Sequence, residues 1–191
     1  DIPRIINYID KEIMKGDIAE AKLFNPDFII ANMHWGLEYE RIPSREQREL
    51  ADWLMRQGVD LVIGSHPHVV QPMELRRGKE GVTDRLVVYS LGNFISNMSR
   101  EHTDGGVMVK VVLGRKGLRR YIVSAQYSLI YSSRYKNEQG KEDIRVVPAA
   151  SWLGKNQNSS FSVDSALIKY VNNTRLFLKG NNKEVEEYIF E

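Results

Sequence analysis

The segment Asp27-Phe-Ile-Ile-Ala-Asn-Met33 runs into His34-Trp35-Gly36. Farther on, Gly58-Val-Asp-Leu-Val-Ile63 runs into Gly64-Ser65-His66-Pro67-His68. Each apolar, β-branched run has the length of a strand, and residues 27–33 are apolar enough to predict a strand covered on both faces. Between them, Ser44-Arg-Glu-Gln47 has the form of a capping box, Leu50, Trp53 and Leu54 make a helical stripe, and Gly58 can close the helix in a left-handed conformation. The spacing predicts a helix over 45–57, and with it a strand–helix–strand unit. A helical crossover makes the two strands parallel, so both C-terminal ends emerge at one sheet edge. His34, His66 and His68 are thereby expected to be neighbours, at the kind of edge where open α/β sheets place their ligands.

Outward from this unit, Ile18, Ala21 and Phe24 with Asp17 as N-cap predict a short helix over 17–24, stopped by Asn25-Pro26. Residues 69–76 and 85–91 read as a hairpin, as do 106–113 and 118–130 around Gly114-Arg-Lys-Gly117, so the later part of the sheet is expected to be antiparallel. Residues 132–143 read as a polar loop, 144–147 as a short strand, 154–160 as a flexible connection and 163–178 as the last main helix. The expected fold class is α/β with a mixed sheet.

With 191 residues, 42% of them hydrophobic, the chain has enough apolar material for one core of ordinary size. No apolar run approaches the roughly 18 residues of a membrane span. The chain begins at Asp1, so its N-terminus says nothing about export. Zero cysteines exclude disulfides, thiolate metal sites and cysteine nucleophiles, leaving only nitrogen and oxygen ligands for any metal. A net charge of +2 gives no support to nucleic-acid binding, and the basic clusters Arg76-Arg77 and Arg115-Lys116 with Arg119-Arg120 read as solvated hairpin turns.

Imidazole is a common transition-metal ligand, and His66 and His68 sit in a loop where Gly64 permits an unusual backbone and Pro67 stiffens it. Each cluster alone also fits an ordinary surface or packing role; their joint placement at strand ends favours a site. Trp35, Glu38 and Tyr39 beside His34, and Asn93 in Tyr89-Ser-Leu-Gly-Asn-Phe94, are candidates to contact substrate; a packed tryptophan, a solvated loop and a local turn are the alternatives. His102 reads as a surface residue. No Gly-x-Ser-x-Gly elbow, phosphate-binding Gly-Lys loop or dinucleotide fingerprint occurs.

Three segments in order, Phe28-Ile-Ile-Ala-Asn-Met-His-Trp-Gly-Leu-Glu-Tyr39, Gly58-Val-Asp-Leu-Val-Ile-Gly-Ser-His-Pro-His-Val69 and Tyr89-Ser-Leu-Gly-Asn-Phe-Ile95, resemble the CapA family of capsule and poly-γ-glutamate synthesis proteins, which are similar to calcineurin-like metallophosphoesterases. The resemblance covers residues 5–130, with 131–191 as a C-terminal extension, and it makes the chain a single domain or the C-terminal part of a larger one. It implies a mixed sheet sandwich flanked by helices and a binuclear centre of divalent ions (Mn, Fe or Zn), with His34 and His66 on one metal and His68 on the other. No catalytic protein nucleophile is implied. It also implies an anionic envelope polymer or phosphoester as partner, and an extracytoplasmic or envelope location. The superfamily's first Asp motifs and its Asn-His motif do not precede His34, which has only 33 residues before it. The chain is therefore expected to lack the N-terminal half of the domain, with its bridging carboxylate, and to be weak in metal binding and activity on its own. A non-catalytic polymer-binding, assembly or export factor on the same fold is the alternative.

Overall fold

A computed structural model of the chain describes residues 7–78, 84–156 and 165–189. In chain order the elements are α1 (Lys11–Leu23), β1 (Ile30–His34), α2 (Arg45–Gln57), β2 (Leu61–Ser65), β3 (Met73–Arg76), β4 (Arg85–Val88), β5 (Gly105–Lys116), β6 (Arg119–Lys136), β7 (Glu142–Pro148), α3 (Ala149–Asn156), α4 (Ser165–Asn181) and β8 (Glu186–Glu187).

The local rules act most clearly on α2. Ser44 Oγ accepts the Gln47 N–H at 3.2 Å, and Gln47 Oε1 accepts the Ser44 N–H at 2.9 Å, so two otherwise orphaned donors are satisfied. Gly58 ends the helix at φ 101°. Leu50, Ala51 and Leu54 form its buried face, packed with Ile18 of α1 and with Met33, Val62 and Val87 of the first sheet. A fully buried leucine contributes about 1.5–3 kcal/mol, so the Leu50 and Leu54 pair anchors the helix.

The first sheet has the order β1-β2-β4-β3; β1 and β4 run parallel to β2, and β3 is antiparallel to β4. The register aligns Ile30 with Leu61 and His34 with Ser65, which brings both strand ends to one edge, as the strand–helix–strand reading requires. Side chains alternate: Val62 and Val87 face the helices, whereas Leu61, Leu86 and Val88 join the core against the second sheet. That sheet is antiparallel β5-β6-β7, with β8 added parallel to β6. Its Val107, Ile122 and Leu129 fill the space between the sheets, together with Leu167, Val171 and Leu178 of α4. The architecture is mixed α/β, two packed sheets flanked by helices.

Four expectations change in detail. Helix α1 starts at Lys11 rather than Asp17, because Asp10 serves as the cap, accepting the N–H groups of Glu12 and Ile13. Residues 132–143 are largely strand: β6 runs on to Lys136 and pairs with β7, and a turn tied by Asn137 Oδ1 joins them, so pairing outweighs polar composition. Residues 154–156 end α3, while 157–160 lie outside the described residues. Strand β1 is covered on one face only. Met33 is buried, but Ile30 is 53% exposed although it shares a face with buried Leu61, because the second sheet does not reach over this edge strand.

The basic cluster around the β5–β6 turn is largely solvated, as expected, and several guanidiniums of the two clusters also make ion pairs and hydrogen bonds. Arg76 binds Asp52 and Glu74, Arg77 binds Asp84 and Glu184, and Arg115 and Arg120 hold the 26–27 segment through Asp27 and the Pro26 carbonyl.

Candidate metal centre

At the shared edge of β1 and β2 the Trp35 N–H donates to Ser65 O at 3.1 Å, which holds the chain leaving His34 beside the one leading to His66. The imidazoles of His34 and His66 lie 4.5 Å apart between centroids, and those of His66 and His68 6.0 Å apart. The edge therefore gathers all three histidines. His34 is exposed, while His66 and His68 are half-buried.

The backbone is bent to achieve this. His66 (φ 103°), His68 (φ 61°) and Tyr39 (φ 68°) all occupy the left-handed region, a conformation that costs non-glycine residues on the order of 1–3 kcal/mol each and persists only where the surroundings enforce it. The enforcing contacts are specific. Tyr39 N–H donates to Pro67 O at 2.7 Å, tying the 37–41 loop onto the histidine loop. Leu91 N–H donates to Gly64 O at 3.0 Å, and the Trp35 indole N–H donates to Tyr89 O at 2.8 Å. A Cβ at Gly64 would sit 2.0 Å from Tyr89 O and 2.4 Å from Trp35 Nε1, so the approach of these three segments requires glycine there.

His68 Nδ1 lies 3.1 Å from Asn93 Oδ1, and Asn93 Nδ2 donates to Thr103 O at 3.0 Å. The second bond orients the amide, so Oδ1 is the acceptor and the proton of a neutral His68 sits on Nδ1. Its Nε2 lone pair is left facing Glu38 Oε1 across 3.8 Å. Among the described residues, Glu38, His66 and His68 form the group whose potential ligand atoms lie within 4.8 Å of one another. Two imidazoles and a carboxylate are a donor set that suits Mn, Fe or Zn, so the residues fit a divalent ion.

The candidates for substrate contact separate by burial. Trp35, 4% exposed, belongs to the core and stacks 6.2 Å from Tyr89, beneath the loops rather than facing solvent. Asn93 is engaged with His68. Glu38 is exposed, and Tyr39 stacks on His68 at 6.0 Å. Sequence patterns missed the Arg100 guanidinium, 3.9 Å from the Tyr39 ring centre, and that of Arg41, 3.8 Å from the Phe177 ring. Both contacts join segments distant in sequence, and no local motif marks them. His102, at φ 68°, is partly buried, and burial followed by the nearby Arg41 charge holds its imidazole below the ordinary range.

Comparison with known proteins places this edge in context. Residues 2–98, about half of the chain, match the family described as "Bacterial capsule synthesis protein PGA_cap". The chain is 35% identical over 115 residues to "PGA biosynthesis protein CapA" of Bacillus subtilis (strain 168), covering 60% of the chain and 28% of that protein. It is also 35% identical over 107 residues to "Capsule biosynthesis protein CapA" of Bacillus anthracis, covering 56% of the chain and 24% of that protein. The chain thus spans about a quarter of the length of these relatives.

Proposed function

We propose, from the premise that the chain belongs to the bacterial capsule synthesis protein family PGA_cap, that the protein carrying it is a metal-dependent phosphoesterase-type hydrolase of envelope-polymer biosynthesis. Its centre lies at His34, His66 and His68. The observation that carries this reading is the convergence of the three imidazoles at the ends of two parallel strands, with a carboxylate opposite them.

A divalent ion held there supplies Lewis acidity toward a phosphoester oxygen. The chain's own residues do the rest. The imidazoles provide nitrogen donors, Asn93 holds the His68 ring in the orientation that turns Nε2 outward, and Arg100 stands over Tyr39 to draw in an anionic group. No protein nucleophile is required. The rest of the domain is a further proposed partner. Strand β1 is the outer strand of its sheet, and beside it an apolar groove of about 1050 Å³, lined by Tyr8, Ile9, Met14 and Ile30, ends at His34. Such an edge is a template for added strands.

The alternative is a non-catalytic factor that binds, assembles or exports an anionic polymer. The exposed Arg100 guanidinium at the mouth of the site supports it. The relatives' names speak of PGA and capsule biosynthesis, and the cell envelope is the proposed location of either activity; no described helix is long and apolar enough to cross a membrane.

Hydrolysis of bis(p-nitrophenyl) phosphate by the full-length protein separates the two. A catalytic centre predicts turnover that needs Mn²⁺ or Zn²⁺, disappears with chelator and falls about 100-fold in His66→Ala and His68→Ala. Wild-type rates in both variants would rule the centre out.

A further inference from the structure

We propose that Glu38 is a metal ligand, completing with His66 and His68 a two-histidine, one-carboxylate cation site. This inference rests on the metal-centre reading above and changes its ligand set, because the family resemblance pairs His34 with His66 and leaves Glu38 to contact substrate.

The chemistry at His68 leads to this assignment. Its Nδ1 is engaged by Asn93 Oδ1, and the Asn93 amide is held by Thr103 O, so Nε2 is the ring nitrogen left for a ligand. Nε2 faces the Glu38 carboxylate, 3.8 Å away. This distance is too long for a hydrogen bond. It suits two atoms that share one cation. Metal–nitrogen and metal–oxygen bonds of about 2.1 Å bridge a gap of that size at an open angle.

The third donor is already close. Ligand atoms of Glu38, His66 and His68 lie within 4.8 Å of one another. Ligands on one ion with bonds of about 2.1 Å sit about 3.4 Å apart at a tetrahedral angle and no more than about 4.2 Å apart, so closure asks for a shift of up to about 1.4 Å in the widest pair. An exposed glutamate side chain can supply it. Its loop is fixed in place by the Tyr39 N–H to Pro67 O bond, which joins the residue after Glu38 to the residue between the two histidines. The left-handed backbone at Tyr39, His66 and His68 flanks or carries each of the three donors. His34 packs against His66 at 4.5 Å but stands outside the donor group. It lies on the open edge of the sheet, where added strands would meet it.

The test is cation binding by the full-length protein that carries this chain, measured with Zn²⁺ by calorimetry and with Co²⁺ by visible absorption, on wild type and on Glu38→Gln, Glu38→Asp, His34→Ala, His66→Ala and His68→Ala. Circular dichroism establishes that each variant is folded. Wild type is expected to bind. Glu38→Gln should raise Kd by about 10–100-fold or more and alter the Co²⁺ spectrum, Glu38→Asp should recover part of the affinity, and His34→Ala should lose less than Glu38→Gln. An unchanged Kd and Co²⁺ spectrum in Glu38→Gln, or a larger loss in His34→Ala, overturns the assignment while the histidine centre stands. If wild type fails to bind, or if His66→Ala and His68→Ala bind as wild type does, the metal-centre reading fails and this inference fails with it.

Discussion

Asn93 Oδ1 and His68 Nδ1 lie 3.1 Å apart, and this one contact sets which ring nitrogen of His68 is available to a ligand. Asn93 was a candidate for touching substrate, but its geometry makes it the residue that positions a histidine. Asn93→Ala frees the ring and lets its tautomers mix. Nitrogen-15 NMR of the imidazole should show the Nδ1–H form in wild type and a mixture in the variant, with cation affinity about tenfold lower. A single unchanged tautomer in Asn93→Ala would contradict the assignment.

Two glycines in this fold answer oppositely to alanine. At Gly64 the added Cβ meets the Tyr89 carbonyl at 2.0 Å, between β2 and the Trp35 indole. Backbone must move, so Gly64→Ala should destabilise by about 1–3 kcal/mol or more. Gly16 lies in α1 with open space around the added methyl, and Gly16→Ala should stabilise by about 0.5–1 kcal/mol. Urea unfolding of the two variants gives both signs.

Acid stability should depend on Asp84. Burial pushes its carboxyl up, but the N–H groups of Gly78 and Ile122 and the Arg77 guanidinium outweigh burial and hold it below the ordinary range. A carboxylate depressed in the folded state adds stability that is present above its unfolded value, near 4, and is lost as pH falls through the folded value. Asp84→Asn should therefore lower stability at pH 7 and flatten the loss seen below about pH 4. Denaturation midpoints across pH 2–7 measure it.

Arg100 offers a way to separate anion capture from metal binding. Arg100 is exposed, its guanidinium stacks on Tyr39, and it is not one of the three donors. Arg100→Ala should weaken retention of an anionic polymer such as poly-γ-glutamate several-fold at low salt, with little effect at high salt, and leave cation affinity unchanged. Equal polymer binding by the variant and wild type at low salt would exclude Arg100 from the polymer path.

The strand–helix–strand unit was legible because its signals are local and agree: a capping box, an apolar stripe at helical spacing, a terminal glycine, and two β-branched runs. Parallel pairing then followed from chain connectivity, and it carried His34 to the histidine loop. The start of α1 was missed because Asp10 and Asp17 are both plausible caps, and neither differs locally from the other. The strand over 132–136 was missed because its composition is polar and its stability comes from pairing with β7. The one-sided cover of β1 depends on how far the second sheet extends, which no property of residues 27–33 encodes. The position of Glu38 opposite His68 depends on a left-handed Tyr39 and a hydrogen bond to Pro67, both outside the reach of periodicity.

The central claim is that a divalent ion sits at the joined ends of β1 and β2. The most direct measurement is an anomalous difference map from crystals soaked in Mn²⁺. The account predicts a peak about 2.0–2.3 Å from imidazole nitrogens of His66 and His68. A map in which Mn²⁺ binds only elsewhere, or not at all, would contradict it.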